Sequence, residues 1–425
     1  MSIQHSHLPF SILINFAWRN LWRHRRRTLI TLTTIGIGFG LAVLFIGLGD
    51  GSHNSMVRNA IKLGEGHLTV QPRGYQEAPA NYKFIHNGKA LYQQLKTLSL
   101  EANVAPRISL QVLASTASNS TGAMLEGMQS QLDTRTNMLK PFLIKGHWLT
   151  EEDHRGILIG QGMARKLKAK VGSKVVIMAG KQGGDSQAQL ARVRGIFNAH
   201  VNEMDDFLII SNLSFSTEFL VGEGADPLLT PVTRFALFLN NPDDLSHTEA
   251  ILKKALVDQK IVVLNWQEMM PQLVQFIILD DAGNYIFLVL ILIMVIFGIV
   301  NTVLMSVLER TREFGLLRAL GISRRQLLLL VFCEAVLLSF LSVAIGWLVG
   351  GSTHLWFAHH GIDFSALMAE GTSAMGTFMD PVIYTELSWD RVLQLTIIVF
   401  AATLSTGIYP AIKAAKVAPV EALRT

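Results

Sequence analysis

The sequence predicts an α-helical membrane protein: four transmembrane helices in a 1+3 order, with a large α+β extracytoplasmic domain inserted between helices 1 and 2. Three observations predict it. Half of the 425 residues are hydrophobic and only 16 % are charged, whereas charged residues make up about a quarter of a typical soluble domain. The apolar residues gather in four runs, each near the roughly 20 residues that a bilayer core requires. The stretch 50–284, in contrast, has ordinary soluble composition and no long apolar run.

Residues 1–27 read as an amphipathic cytoplasmic elbow. Ile12, Phe16, Leu21 and Trp22 alternate with polar residues before the run Arg23-His-Arg-Arg-Arg27. A basic, Trp-bearing amphipathic segment belongs in the headgroup region. A nucleic-acid-binding arm is the other reading, and the membrane span that follows disfavours it. The net charge of +5 comes largely from Arg clusters beside apolar runs, so nucleic acid is excluded as a partner.

Residues 28–49 carry no charge until Asp50, and a helix of this length, roughly 33 Å, spans a bilayer core of about 30 Å. No clear small-x-small cleavage site follows, so the span reads as an uncleaved anchor. Gly36, Gly38 and Gly40 fit the small-residue spacing that lets another helix approach closely.

Within 50–284, short β-like runs alternate with helical ones. Strands are expected at 67–71, 156–160, 174–178, 189–197, 207–210 and 234–239, and helices at 89–98, 162–167 and 244–256. Glu151, Glu152 and Asp153 read as a helix start, where acidic residues suit the positive dipole end. The Gly-rich segment 180–187 reads as a hairpin loop and 221–231 as a longer one.

The remaining spans are 285–308, 326–352 and 389–412, with an outer loop at 353–388 and a tail at 413–425. Lys and Arg set the orientation. Arg19, Arg23, Arg25, Arg26 and Arg27 precede the first span; Arg310, Arg312, Arg318, Arg324 and Arg325 lie between the second and third; Lys413, Lys416 and Arg424 follow the fourth. None lies between Thr353 and Asp390, so both termini and the link 309–325 are expected in the cytoplasm. The only cysteine, Cys333, falls inside the third span and reads as a packing residue. Glu334, in the same span, is either functional or paired with an Arg of the link. Asn301 is expected to bond across helices. His354, His359 and His360 lie close in sequence but lack a zinc-ligand pattern, so no metal site is assigned.

The link 309–325 itself suits a short docking helix. Phe314, Leu317 and Leu320 recur at helical spacing, Glu309 can pair with Arg312, and Gly321 is placed to stop the helix. Glu309-Arg-Thr-Arg-Glu-Phe-Gly-Leu-Leu-Arg-Ala-Leu-Gly321 closely resembles the coupling segment of ABC transporter permeases of the FtsX, MacB and LolC/LolE type. The ending from Tyr409 to Arg424 resembles the C-terminal signature of the same superfamily. Gly160 to Gly172 and Val193 to Phe197 also match it. Trp18 to Arg27 and Gly66 to Val70 lean towards the lipoprotein-releasing branch.

The resemblance implies a multi-pass subunit of the bacterial inner membrane with its large domain in the periplasm. No P-loop is present, since Gly180-Lys181 is followed by Gln182 and Gly88-Lys89 by Ala90, and no catalytic set is visible. The subunit is therefore expected to be non-catalytic, binding no cofactor directly. ATP and Mg would act through a cytoplasmic ABC ATPase dimer docked on Glu309, Arg310, Arg312, Glu313, Phe314, Leu317, Arg318, Leu320 and Gly321. A second permease subunit, identical or paralogous, and a periplasmic carrier are the other implied partners. In the lipoprotein branch a lipid-anchored cargo would leave the outer leaflet between spans one and two. Phe39, Val43, Ile46, Leu290, Ile293 and Met294 are candidates to line that cavity, and 221–231 to bind the carrier. The alternative is a subunit that relays ATPase motion to a periplasmic efflux channel or cell-wall hydrolase without transport through its own helices.

Overall fold

The computed structural model describes residues 10–23, 25–64, 66–98, 100–180, 186–221, 231–257, 260–319, 322–364, 373–374, 377–378 and 382–415. In chain order its main elements are α1 (Phe10–Arg23), α2 (Arg25–Leu63), β1 (Leu68–Pro72), α3 (Gly88–Thr97), β2 (Ala102–Ser115), β3 (Ser120–Met128), α4 (Thr134–Leu139), β4 (Leu143–Gly146), β5 (Gly156–Gly160), α5 (Gln161–Leu167), β6 (Lys174–Gly180), β7 (Ser186–Phe197), α6 (Asn202–Phe207), β8 (Leu208–Asn212), α7 (Leu213–Val221), β9 (Arg234–Leu239), α8 (Leu245–Ala255), β10 (Ile261–Asn265), α9 (Trp266–Met269), α10 (Pro271–Glu309), α11 (Thr311–Ala319), α12 (Arg324–His360) and α13 (Trp389–Ala415). They form two compact units, one of Met1–His53, Ile278–Asp363 and Val382–Thr425, the other of Asn54–Ile277 and Phe364–Pro381.

The first unit holds the apolar helices. Among the described residues, α2, α10, α12 and α13 hold four segments long and apolar enough to cross a membrane. The glycines of α2 set its packing. A Cβ on Gly36 would lie 2.8 Å from Ile345, and one on Gly40 3.0 Å from Val349, so α12 presses against that face. Gly38 faces the other way, and its Cβ would lie 2.7 Å from Val295 of α10. The close approach expected of the Gly36–Gly40 run is thus made on two sides. At the start of α12 the Ser323 hydroxyl accepts from the Gln326 amide and the Gln326 side chain answers to the Ser323 amide, a reciprocal cap that satisfies two otherwise unpaired donors.

The second unit is α+β. Strands β10, β1, β9 and β2 lie side by side in that order, all antiparallel, with α3 following β1 and α8 following β9. This is the split β-α-β plan. Leu91 and Leu95 of α3 and Leu252 of α8 close its core over Val70 and Leu237. A second lobe is inserted between β2 and β9, with Ile108, Leu125, Ile159, Met163, Val193 and Phe215 among its buried residues. Strand β2 belongs to both lobes: residues 102–107 pair with β9 and residues 112–115 with β6. Gly180 pairs with Ser186 across antiparallel β6 and β7, and 181–185, most of the expected hairpin loop, lie outside the described residues.

This unit differs from the sequence reading in several places, two of which bear on its polar core. Strands β2 and β3 form a long hairpin where no strand was expected. No helix starts at Glu151 to Asp153. Asp153 instead accepts from the Thr150 amide at 3.2 Å and hydroxyl at 3.1 Å, and a carboxylate that satisfies the backbone in this way favours a turn.

Candidate functional site

The link begins where α10 ends. Arg310 is the turn residue between α10 and α11, and it is buried, 8 % exposed. Its Nη1 lies 3.3 and 3.4 Å from the two carboxylate oxygens of Glu334 on α12, its Nε donates to Glu313 at 3.2 Å, and its guanidinium covers the Phe314 ring at 5.2 Å. Glu334 also accepts from Asn20 Nδ2 of α1 at 2.8 Å, and Glu313 pairs with Arg23 at 2.9 Å. Asn20, Glu334, Arg310, Glu313 and Arg23 therefore form one polar chain tying the elbow, the link and the third span together. A carboxylate among apolar helices is costly unless paired, and here the partner is an Arg of the link.

The apolar residues of the link turn inward. Phe314 is 1 % exposed and packs with Leu327, Val331 and Ala411, with Leu317 against the same cluster. Phe314 and Leu317, expected among the ATPase-docking residues, thus face the interior: helical spacing identifies a face but not what covers it, and α12 and α13 cover this one. Among the described side chains of the link, Glu309, Arg312, Leu316, Arg324 and Arg325 are exposed. The Arg318 side chain, Leu320 and Gly321 lie outside the described residues. Alongside, α1 packs Leu13 and Ala17 against Leu330 and Cys333 of α12, which gives the cysteine the packing role expected of it.

The six candidate cavity residues do not share a surface. Phe39, Val43 and Ile46 are buried with Leu288, Leu395, Val399 and Trp347, and the Phe39 ring meets Trp347 edge-on at 5.3 Å. Leu290, Ile293 and Met294 are exposed. The reason is the glycine face: the turns that carry Gly36 and Gly40 carry Phe39, Val43 and Ile46 into the same helix contact. The open apolar side of α2 is instead Ile37, Leu41 and Phe45, continued on α10 by Phe287, Leu290 and Met294. Phe45 and Phe287 join the two helices by stacking at 6.5 Å with planes 9° apart.

Family models agree with this architecture. The MacB-like periplasmic core domain matches residues 28–255 and the FtsX-like permease C-terminal domain matches residues 285–419. The chain belongs to this ABC permease family. Over 98 % of its length it is 23 % identical to the lipoprotein-releasing system transmembrane protein LolE of Haemophilus influenzae, covering 99 % of that protein. It is 26 % identical to the uncharacterized permease YknZ of Bacillus subtilis, covering 97 % of this chain and 98 % of that one. Among solved structures, the periplasmic region of MacB from Actinobacillus actinomycetemcomitans aligns with 52 % of this chain and 97 % of its own, at 16 % identity and a TM-score of 0.35.

This FtsX-like permease has a further polar cluster that sequence reading missed, at the other end of its apolar helices. Asp50 and His53 of α2 meet Asp280 and Asp281 of α10 and Arg391 of α13. His53 Nε2 lies 2.9 Å from Asp280, and Arg391 bridges Asp50 at 3.3 Å and Asp281 at 3.0 Å. Among the described residues, Asp50, His53 and Asp281 alone bring three potential metal-ligand atoms within 4.8 Å of one another. The Arg391 guanidinium already supplies the positive charge there. The residues are far apart in sequence, and only the helix packing brings them together. Among the described residues His354, His359 and His360 form no such cluster, and His360 stacks on Trp356 at 4.1 Å. The Asn301 side chain and 222–230, most of the expected carrier loop, lie outside the described residues.

Proposed function

We propose that this permease works with a cytoplasmic ABC ATPase, which supplies ATP and Mg chemistry, to expel a lipid-anchored cargo from the outer leaflet of a bacterial inner membrane. The mechanism is mechanical. ATPase closure pushes on the 309–325 link, the push is passed to the apolar helices, and α2 and α10 carry it into the extracytoplasmic domain. A second permease copy or paralogue completes the pair.

The observation that carries this reading is the length of two helices. α2 and α10 are each single helices of 39 residues, about 58 Å long, against a hydrocarbon core of about 30 Å. Each therefore has nearly half its length available to act as a rod outside the bilayer. Inside the second unit the rods are held together by Met56 and Ala60 of α2 against Leu273 of α10, with Val57, Trp266 and Met270 around them. The full-length likeness to LolE supports a lipoprotein cargo, and the open apolar face of Leu41, Phe45 and Met294 suits acyl chains.

The test is reconstitution of the permease with its ATPase in vesicles bearing a fluorescent triacylated protein. ATP-dependent release is expected, and Leu41→Arg with Met294→Arg should abolish it while ATP hydrolysis continues. If wild-type protein hydrolyses ATP and releases no acylated protein, the transport reading falls, and relay of motion to an extracytoplasmic channel or hydrolase takes its place.

A further inference from the structure

α2 ends at Leu63 inside the second unit; the Gly64 and Gly66 amides take the carbonyls of Ala60 and Ile61 at 2.7 and 3.2 Å, and those of Lys62, Leu63 and Gly64 have no helical partner among the described residues. Such groups are usually left to water or to a glycine cap. Here side chains of the domain take them. Thr134 Oγ1 donates to the Lys62 carbonyl at 3.1 Å, Arg135 Nε to the Leu63 carbonyl at 2.5 Å, and Arg107 Nη1 to the Gly64 carbonyl.

Each guanidinium is held from behind. Arg107, on β2, makes a two-pronged pair with Asp133 at 2.6 and 2.7 Å. Arg135 pairs with Glu126 of β3 at 3.2 Å, and Glu126 also takes Arg234 of β9 at 2.8 Å and the Ser109 hydroxyl at 2.5 Å. All five charged groups are buried, with Arg107 fully so. Three arginines against two carboxylates leave one positive charge in excess, and the negative end of the α2 dipole faces it.

Two features separate this arrangement from ordinary core packing. Apolar side chains of similar volume would hold a helix end at least as stably as buried ion pairs. What guanidinium forks add is direction: each fixes the angle and distance of the carbonyl it holds. Apolar contacts let a helix rotate or slide, whereas these bonds resist both. The three strands they reach, β2, β3 and β9, are neighbours in the sheet.

We propose that Arg107 and Arg135 are the transmission residues of this permease, a clamp that locks the end of α2 to the domain so that axial movement of the helix becomes movement of the sheet. This rests on the mechanical reading given above. They are positioning residues, touching neither cargo nor nucleotide.

The experiment uses the full chain with its ATPase in vesicles. Arg107→Met with Asp133→Asn removes the Gly64 contact while leaving neither buried charge alone, and the Asn keeps the cap on α4. Melting temperature and ATP hydrolysis are expected near wild type, and acylated-protein release per ATP is expected to fall by about tenfold. Unchanged release per ATP in the folded variant overturns the clamp. A second readout needs no cargo: spin labels at Lys62 and Gln111, both exposed, report the distance from the rod end to β2. ATP should leave that distance narrow in wild type and broaden it in the double variant and in Arg135→Lys, which keeps the charge and loses the fork. Equal widths in all three proteins would also overturn it. A wild-type protein that releases no cargo while the widths differ refutes the transport reading and leaves the clamp standing.

Discussion

Arg310 stands in the turn between α10 and α11 and Glu334 on α12, yet the guanidinium of the first touches both carboxylate oxygens of the second, at 3.3 and 3.4 Å. Removing Arg310 leaves Glu334 buried without a counter-charge, at a cost of about 3 kcal/mol, whereas removing Glu334 still leaves Arg310 paired with Glu313 at 3.2 Å. Arg310→Ala is expected to lower the melting temperature of the detergent-purified protein strongly. Glu334→Gln should cost less, since an amide oxygen still accepts from Asn20. In a double-mutant cycle the two changes should be far from additive, and additive losses would show that the pair carries no coupling.

The α2–α12 contact predicts a steric result. A Cβ on Gly350 would lie 3.0 Å from Val43 and 3.1 Å from the Gly40 backbone, and a backbone cannot rotate out of the way. Gly350→Ala should destabilise the protein by about 1–3 kcal/mol. Gly283→Ala is the control, because a Cβ there meets nothing within 4 Å and alanine is the better helix former by about 1 kcal/mol. Thermal melts of the two variants should move in opposite directions.

The buried cluster of the second unit sets an acid limit. Burial alone would push the Glu126 carboxyl up, but the Arg234, Arg135 and Arg107 guanidiniums hold it below the usual range. Asp133 is likewise pushed up by burial and held lower, by Arg107 and Arg135. Carboxylates depressed in the folded state contribute stability that is fully present above their unfolded values, near pH 4, and lost as pH falls through the folded values. Melting temperature should therefore be flat in these groups above about pH 5 and fall below about pH 4. Glu126→Gln should have a lower melting temperature at pH 7 and a shallower decline in acid. An identical slope in the variant would show that Glu126 is not part of the acid response.

These residues also mark where sequence reading stops. The apolar runs were legible because charge in hydrocarbon is costly and therefore rare, and most strands because Val and Ile cluster in them. The ends of the rods were not, since Asp50, His53 and Asn54 read as the start of a solvated domain, while the helix continues through them to Leu63. β3 was hidden by Gly122, Glu126 and Gly127, poor strand formers taken one at a time. Glu126 is tolerated because three arginines from other elements surround it, and no local pattern records that. For Phe39 and Phe314 the periodicity was visible, but which helix covers the face is a tertiary fact.

The same distinction decides how ATPase docking is to be tested. Leu316 is 48 % exposed, whereas Phe314 is 1 % exposed. A charge at Leu316 alters the outer surface of the link and leaves its core intact. Leu316→Asp is therefore expected to lose co-purification of the ATPase and ATP-driven release while keeping the wild-type melting temperature. Phe314→Asp places a carboxylate among Leu327, Val331 and Ala411, where burying an unpaired polar group costs several kcal/mol; it should lower the melting temperature before any docking effect is read. Retained ATPase binding in a folded Leu316→Asp protein would move the docking surface off this face of α11, to the exposed Arg324 and Arg325 at the start of α12.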